Sequence, residues 1–462
     1  RHATPDPAQP VLTPTPDTAH TLPGLRTEEE QYVVQPGDFL NQIARRYQIS
    51  LQLLINANQL QNPDYLEVGQ VLVIPAPEPG PVGPAYKVIP DSELVYGPAS
   101  VEFDVEKFVS RYDSYLLRYE QEVEGRILSG PQIVERVAQD YSINPRLLLA
   151  VLEYQAGWVT RANPLSERRE TPIQQLESWR KGLYFQLTWT ANALNRGFYL
   201  WQAGGLGYFI LPDGAVVPVD PTLNAGTAGV QYLFSLIYER LDWESAVTAE
   251  GLQAVYRGFF GYPFHWAVEP LLPEGLSQPT LQLPFEPGQG WAFTGGPHAG
   301  WGDGSAWAGL DFAPPGSGLG CVNSDAWVVA VADGMIVRSD QGAVMQDLDV
   351  NGPNTHDGQE QTGWVVLYMH IETRDRIPAG SYVRAGERIG HPSCEGGVST
   401  GTHLHLARRY NGVWISADGN LPFVLEGWVS LGDGQEYDGF LQKNGTTVEA
   451  WEGIRPENTI YR

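Results

Sequence analysis

Cysteine is scarce in this sequence of 462 residues, which contains two, Cys321 and Cys394. Neither belongs to a Cys-x-x-Cys pair, so we expect no cysteine-based zinc site. A low, even count indicates one local disulfide in an exported protein and two free thiols in a cytosolic one. Composition leaves both alternatives open.

Long hydrophobic runs and basic residues are also lacking. No stretch of about 18 apolar residues occurs, so we expect no membrane span. The 29 Lys and Arg are outnumbered by 54 Asp and Glu, for a net charge of −25. Such a surface repels phosphate backbones, and we expect no nucleic-acid partner. The start at Arg1-His2, without a signal peptide, is typical of a trimmed, mature chain, and we expect an extracellular or cell-envelope location.

The length predicts two to four domains. Shifts in composition predict a multidomain α+β protein, and the helical and β-rich patterns fall in separate parts of the chain. The predicted segments are a Pro/Thr-rich tether (1–31), a compact module (32–75), a Pro/Gly-rich linker (76–99), a mostly helical domain (100–268), a second linker (269–290), an antiparallel β domain (291–430) and a C-terminal extension (431–462).

The compact module has the pattern strand, helix, helix, strand. A short strand over 32–35 leads into the turn Pro36-Gly37, after which Asp38 is predicted to cap a helix. Ser50 is predicted to cap the second helix, and a closing strand covers 71–74. The helix predictions depend on apolar residues at helical spacing: Leu40, Ile43, Ala44, Tyr47, Leu51, Leu54 and Ile55.

Along its whole length this module resembles LysM modules, including the Pro36-Gly37-Asp38 turn and the closing run Gly69-Gln70-Val71-Leu72. The resemblance implies binding of glycans that contain N-acetylglucosamine, such as peptidoglycan or chitin. It places the glycan groove between the loop at Asp38-Phe39 and the loop over 61–65. The alternative is a small structural domain that holds no sugar.

The helical domain contains Asn144-Pro145, a cap and a proline at the first helical position, followed by the apolar run RLLLAVLEYQ. This segment resembles the start of lysozyme-like lytic transglycosylase domains, and the resemblance implies that Glu153 is the catalytic acid. A carboxyl at the end of an apolar helix is partly desolvated, which favours its protonated, acid form. However, Tyr154 stands where the family has Ser, and no second carboxylate is identifiable. Active glycan cleavage, a degenerate glycan-binding domain and an unrelated helical spacer therefore stay open.

The β domain carries histidines beside a suitable carboxylate. His403 and His405 lie two residues apart in a predicted strand, so their imidazoles project from the same face. His370 ends another predicted strand, and His298 and Asp311 lie upstream. Two His nitrogens and one carboxylate oxygen, with a fourth position open, form the ligand set of a catalytic Zn²⁺.

Residues 291–415 resemble the lysostaphin-type zinc endopeptidases, and more closely their β-lytic and staphylolysin branch. The matching segments are GGPH (295–298), LDF (310–312), YMH (368–370) and CEGGVSTGTHLHLARRYNG (394–412). The resemblance implies that the zinc ligands are His298, Asp311 and His405. It further implies that His370 and His403 are the catalytic histidines and that Cys394 joins a disulfide, for which Cys321 is the available partner.

One departure concerns the first ligand. In many lysostaphin-type enzymes it lies four residues before the Asp, a position that Trp307 occupies in this sequence. With Trp307 there, the site would have lost a ligand. In the β-lytic branch the histidine lies further upstream, and His298 stands 13 residues before Asp311 as that branch requires. The remaining histidines are predicted to be structural or solvent-facing: His2, His20, His265, His356 and His391.

These features predict a modular peptidoglycan hydrolase. The LysM module would anchor it to glycan strands, the helical domain would grip or cut them, and the zinc domain would cleave stem or cross-bridge peptides. The alternatives are a non-catalytic wall-binding or hydrolase-activating protein with a degenerate zinc site, and a glycan binder of the chitin or defence type.

Overall fold

The computed structural model describes residues 19–47, 49–174, 180–316, 320–348 and 357–462, so the first 18 residues of the tether predicted over 1–31 lie outside them. The chain divides into two compact units. The first unit contains the residues up to 94 together with 104–138 and 145–267, and the second contains 95–103, 139–144 and 268–462. Across the described ranges, no helix is both long enough and apolar enough to cross a membrane.

The first unit begins with the predicted compact module, whose order of strand, helix, helix and strand is confirmed. Its elements are β1 (Glu30–Val33), α1 (Leu40–Arg46), α2 (Leu51–Asn58) and β2 (Val71–Ile74), with β1 and β2 antiparallel. Ser50 caps α2 as predicted, because its hydroxyl oxygen accepts a hydrogen bond from the Leu53 amide at 3.0 Å. A small core holds the module together: Val34, Leu40, Ile43, Ala44, Ile49, Leu54, Leu72 and Ile74.

The prediction that Asp38 caps α1 is wrong. Its carboxylate turns back and accepts hydrogen bonds from the Gln35 amide and the Tyr32 hydroxyl, both at 2.7 Å. Asp38 therefore closes the turn that leaves β1. The tight turn at Gly37, where φ is +90°, brings the carboxylate back over the strand end.

The rest of the first unit is mostly helical, as predicted, with two short hairpins. Helix α6 starts at Pro145, which fits the N1 position because proline lacks an amide hydrogen. The helices are α3 (Val105–Val109), α4 (Tyr115–Arg118), α5 (Gly130–Tyr141), α6 (Pro145–Ala156), α7 (Leu183–Gln202), α8 (Ala225–Ser235), α9 (Arg240–Ala246) and α10 (Leu252–Phe260). The hairpins are β3 (Glu120–Val123) with β4 (Arg126–Ser129) and β5 (Tyr208–Ile210) with β6 (Val216–Pro218).

The segment predicted as a linker over 76–99 is not an extended spacer. The amides of Gly80 and Gly83 donate to the carbonyls of Val216 and Pro218 along β6, at 2.6 and 2.8 Å. Further along, Val88 and Ile89 are fully buried. The prolines of this segment remove backbone hydrogen-bond donors, but its apolar side chains still enter a core. Composition alone does not distinguish an extended linker from a proline-rich segment that packs.

The second unit is built around a nine-stranded antiparallel sheet. Its main path runs in the order β13, β10, β11, β12, β15, β8, β7 and β21, and β16 pairs with β15. The strands of the unit are β7 (Gly290–His298), β8 (Gly309–Ala313), β9 (Val328–Val329), β10 (Gly334–Asp340), β11 (Ala343–Asp347), β12 (Trp364–Met369), β13 (Tyr382–Val383), β14 (Arg388–Gly390), β15 (Leu404–Tyr410), β16 (Val413–Trp414), β17 (Val424–Leu425), β18 (Trp428–Leu431), β19 (Phe440–Lys443), β20 (Thr446–Glu449) and β21 (Thr459–Tyr461). The predicted antiparallel β domain is therefore confirmed.

The boundaries predicted for this domain were too narrow. Leu281, Leu283 and Phe285, from the segment predicted as a second linker, are buried in the unit. At the other end, β21 pairs with β7 through Thr459 and Ala292, and it forms the edge of the main sheet. The predicted C-terminal extension thus completes the sheet. A disulfide joins Cys321 to Cys394, with the two Cα atoms 5.7 Å apart, as the resemblance implies.

Candidate metal centre

Three adjacent strands of the main sheet bring the predicted ligands together. His298 ends β7, Asp311 lies in the middle of β8, and His405 is the second residue of β15. In the antiparallel register, His405 pairs with Asp311, and His298 pairs with Gly309, which lies two residues before Asp311 on the same face of β8. Because paired residues project from the same face, the three side chains converge.

The donor atoms of these side chains lie close enough for one ion to bind all three. The Nε2 of His298 is 2.9 Å from the Nδ1 of His405 and 3.3 Å from the Oδ1 of Asp311. The same oxygen is 3.0 Å from the His405 Nδ1. Tetrahedral zinc at 2.0–2.1 Å from its ligands requires donor separations of about 3.3 Å. All three residues are buried, and the donor set fits a metal ion.

The outer nitrogen of each predicted ligand histidine is held by a backbone carbonyl. The Nδ1 of His298 donates to the Gly296 carbonyl at 2.8 Å, and the Nε2 of His405 donates to the Gly300 carbonyl at 3.1 Å. A carbonyl only accepts, so the proton of each neutral imidazole lies on the outer nitrogen. The inner nitrogens, Nε2 of His298 and Nδ1 of His405, are left with free lone pairs for the metal.

The electrostatics of the cluster are dominated by the buried carboxylate. Burial opposes ionisation of Asp311, but the imidazoles of His298 and His403 outweigh it and hold its pKa well below the usual range. Burial also opposes protonation of His298, yet the Asp311 carboxylate overrides it and raises the His298 pKa. Burial lowers the pKa of His405. A deprotonated Asp311 provides the negative charge that a divalent cation needs.

Trp307, the residue at the alternative ligand position, has a different role. Its backbone carbonyl accepts a hydrogen bond from the Ala417 amide at 2.7 Å, and it supports the loop between β7 and β8. The geometry therefore favours the ligand set that contains His298.

The two histidines predicted to be catalytic lie beside this cluster. The His403 Nε2 is 3.7 Å from the Asp311 Oδ2, and the rings of His370 and His403 are 4.5 Å apart. The Nδ1 of His403 donates to the Gly401 carbonyl at 2.7 Å, and that of His370 donates to the Glu395 carbonyl at 3.1 Å. Burial, followed by the neighbouring histidines, lowers the pKa of His370 to about 3. Both rings are therefore anchored through Nδ1, and the structure brings the five predicted residues together.

Two residues that contact the cluster were not predicted from the sequence. The Tyr437 ring stacks on the His298 imidazole with centroids 4.2 Å apart, although Tyr437 lies outside the predicted peptidase boundary. Its backbone is bonded to the same turn, since the Gly296 amide donates to its carbonyl at 2.8 Å. Gly309 is the second residue: a Cβ there would lie 2.2 Å from the His405 Cε1. Tyr437 belongs to no recognisable motif, and Gly309 directly precedes the LDF segment (310–312), which does not itself indicate the contact with His405.

Glu153 belongs to the first unit and has structural contacts. Its Oε2 accepts from the amides of Val159 and Thr160 at 2.9 and 3.0 Å, and its Oε1 accepts from the Thr160 hydroxyl. Both oxygens therefore cap the turn that follows α6. Its catalytic role stays a prediction that these contacts do not favour.

The other histidines contribute no second metal site within the part of the chain that the structure describes. His391 is buried and donates through Nδ1 to the Ala326 carbonyl at 2.9 Å. His20 is exposed and stacks on Trp201 with centroids 4.6 Å apart. His265 lies beside the Tyr262 ring. His2 and His356 lie outside the described residues.

Comparison with known proteins assigns three regions of the chain to families. Residues 32–75 match the LysM domain, residues 87–272 match the LasA N-terminal domain, and residues 307–417 match peptidase family M23. The lysozyme-like identity predicted for the helical region is therefore not confirmed. The M23 match begins at residue 307, so it does not include His298.

The chain is also similar to individual proteins over longer stretches. It is 26% identical over 385 residues to protease LasA of Pseudomonas aeruginosa, which covers 77% of this chain and 82% of that protein. It is 30% identical over 186 residues to the beta-lytic metalloendopeptidase of Achromobacter lyticus, which covers 37% and 44% of the two chains. A solved structure of the M23 metalloprotease pseudoalterin from the deep sea has 26% identity and a TM-score of 0.31, covering 40% of this chain and 100% of that chain. The chain therefore contains one region that matches peptidase family M23 and another that matches the LysM domain, and over 77% of its length it is similar to protease LasA.

Proposed function

We propose that the chain is an exported zinc endopeptidase that cleaves the peptide part of peptidoglycan. The observation that carries the proposal is the convergence of His298, Asp311 and His405 from three neighbouring strands. A relative named a beta-lytic metalloendopeptidase supports the class of reaction. The disulfide supports an oxidising compartment, since such bonds are rare in the cytosol.

In this proposal zinc is bound by His298 Nε2, His405 Nδ1 and Asp311. Proton transfer is carried out by His370 and His403. When bound, zinc activates a water molecule and polarises the scissile carbonyl. Because His370 keeps its proton on Nδ1, its Nε2 is free to accept a proton. The His403 Nε2 likewise lies on the inner side of the cluster, near Asp311. Once protonated, either imidazole can donate to the leaving amine.

The LysM module would hold the enzyme on glycan strands. Phe39 and Tyr65, from the two loops expected to border the groove, are each 63% exposed. Exposed aromatic rings of this kind offer flat apolar faces to sugar rings. Peptidoglycan is the partner that contains both a glycan for this module and a peptide for the metal centre.

The test measures zinc content per chain and release of amino groups from purified peptidoglycan. We expect about one zinc in the wild type, little in His298→Ala and His405→Ala, and full zinc without turnover in His403→Ala. His391→Ala is the matched control, because His391 is equally buried but lies outside the ligand cluster.

Zinc retained in His405→Ala would overturn the ligand assignment. A wild type that binds peptidoglycan but takes up no zinc, even when zinc is supplied, would instead support the non-catalytic wall-binding alternative.

A further inference from the structure

His370 occupies an unusual backbone position directly after β12. Its φ is +66°, in the left-handed region that residues other than glycine rarely adopt, so neighbouring contacts must hold it there. Its carbonyl accepts from both the amide and the hydroxyl of Ser393, at 2.7 and 2.9 Å. The loop that contains Ser393 and Glu395 therefore determines where the His370 imidazole lies.

The same loop contacts the imidazole itself. The Nδ1 of His370 donates to the backbone carbonyl of Glu395 at 3.1 Å. On its other side this carbonyl packs tightly against Gly342, where an added Cβ would meet the Glu395 oxygen at 2.2 Å. Since a carbonyl only accepts, its position decides which nitrogen of His370 carries the proton.

The Glu395 side chain ties its loop to the segment that follows His370. Its Oε1 accepts from the Thr373 amide at 2.8 Å, and its Oε2 accepts from the Thr373 hydroxyl at 2.6 Å. The guanidinium of Arg376 lies 3.5 Å from Oε2 and also donates to the Ile371 carbonyl at 3.0 Å. The Glu395 carboxylate therefore links the segment that follows His370 to the loop whose carbonyl accepts the hydrogen bond from the His370 Nδ1.

We propose that Glu395 is a positioning residue for His370. Its carboxylate fixes the 371–376 segment to the 393–395 loop, so that its own carbonyl keeps the His370 proton on Nδ1. The Nε2 then points toward the metal centre as a proton acceptor. Without this link the imidazole exchanges between its two neutral forms, and the form with the proton on Nε2 has no lone pair at that nitrogen to accept a proton from the metal centre. The inference rests on the proposed catalytic role of His370.

The test records the tautomer of His370 by ¹⁵N NMR on the zinc-loaded full chain with labelled histidine. The signal is assigned by its loss in His370→Ala, and kcat, KM and zinc content are measured on the same samples. Glu395→Ala removes the carboxylate. Thr373→Val removes one hydroxyl donor at almost constant volume, and it keeps the test valid if Glu395→Ala does not fold. Glu395→Gln keeps an acceptor for the Thr373 amide and serves as the conservative variant.

We expect Glu395→Ala to populate the Nε2-protonated form of His370 and to lower kcat on the order of tenfold, a part of the usual contribution of a general base. KM and zinc content should stay unchanged. Thr373→Val should change the His370 tautomer and kcat in the same direction as Glu395→Ala. Glu395→Gln should keep the tautomer and kcat close to those of the wild type. Glu372→Gln is the matched control, because that neighbouring carboxylate pairs with the partly exposed Arg374.

An unchanged tautomer in Glu395→Ala and Thr373→Val would overturn the inference, as would a changed tautomer with unchanged kcat. Full activity in His370→Ala would instead overturn the proposed role of His370. The two failures are therefore distinguishable.

Discussion

At the residue scale, the proposed metal centre depends on two glycines as much as on its proposed ligands. A Cβ at Gly309 would lie 2.2 Å from the His405 imidazole, and a Cβ at Gly295 would lie 2.8 Å from the Asp311 carboxylate. Contacts this short are not tolerated without displacement of the ring or the carboxylate. These glycines therefore allow the ligands to approach one another across the strands.

We expect Gly309→Ala to weaken zinc binding by about 10- to 100-fold, the range seen when support around metal ligands is lost. The added methyl group would push the His405 ring away from His298 and Asp311. Zinc affinity, measured by competition with a chromophoric chelator, checks the prediction, with circular dichroism to verify the fold. Gly258→Ala is the control, because a Cβ at this position in α10 meets no atom within 4 Å. Unchanged affinity in Gly309→Ala would show that the ring has room to move.

At the element scale, the turn between β1 and α1 depends on one carboxylate. Asp38 joins the strand end through the Gln35 amide and Tyr32 hydroxyl. The hydrogen bond from Tyr32, followed by that from Gln35, lowers the pKa of Asp38. Because its pKa is lower in the folded state than the unfolded value of about 3.9, the ionised group stabilises the turn. That stabilisation is fully present above the unfolded pKa and is lost as the pH falls through the folded pKa.

We expect Asp38→Asn to increase hydrogen exchange at the Gln35 amide at neutral pH. An amide side chain accepts more weakly than a carboxylate, so this amide loses part of its protection. The difference from wild type should shrink once the pH falls below the folded pKa, where Asp38 is itself neutral. Hydrogen exchange of the full chain, corrected for the intrinsic rate at each pH, measures both effects. A difference that persists unchanged in acid would contradict the electrostatic explanation.

At the scale of the whole molecule, the disulfide closes a long loop within the second unit. Cys321 and Cys394 are 73 residues apart in sequence, and Cys394 directly precedes Glu395. A bond of this separation restricts the unfolded chain far more than the folded one, which is why long closed loops gain stability. The proposed metal ligands lie on strands β7, β8 and β15, whose pairing does not require the bond.

Replacing both cysteines by serine should lower the free energy of unfolding by about 2–4 kcal/mol. The corresponding fall in melting temperature is on the order of 10 °C for a unit of this size. Calorimetry of the zinc-loaded protein measures the shift, and zinc content should stay near the wild-type value. An unchanged melting temperature would mean that the unfolded chain is already restricted in other ways.

The individual histidines and Asp311 were predictable, because their chemistry is rare and the strand period of two places His403 and His405 on one face. The elements of the LysM module were predictable from local apolar spacing and from the Ser50 cap. The direction of the Asp38 side chain was not predictable, because an aspartate after a turn can either cap the following helix or accept hydrogen bonds from the end of the preceding strand.

The sequence by itself determined the type of chemistry, the β-rich nature of the peptidase region and the order of its segments. These properties follow from side-chain identity and from local periodicity. The tertiary structure decided which residues support the site. Tyr437 on His298, Gly309 beside His405 and Glu395 beside His370 are all contacts that pairing between distant strands or loops creates. The tertiary structure also decided that the proline-rich 76–99 segment packs along β6 and that β21 completes the main sheet. Both outcomes depend on neighbours that are remote along the chain.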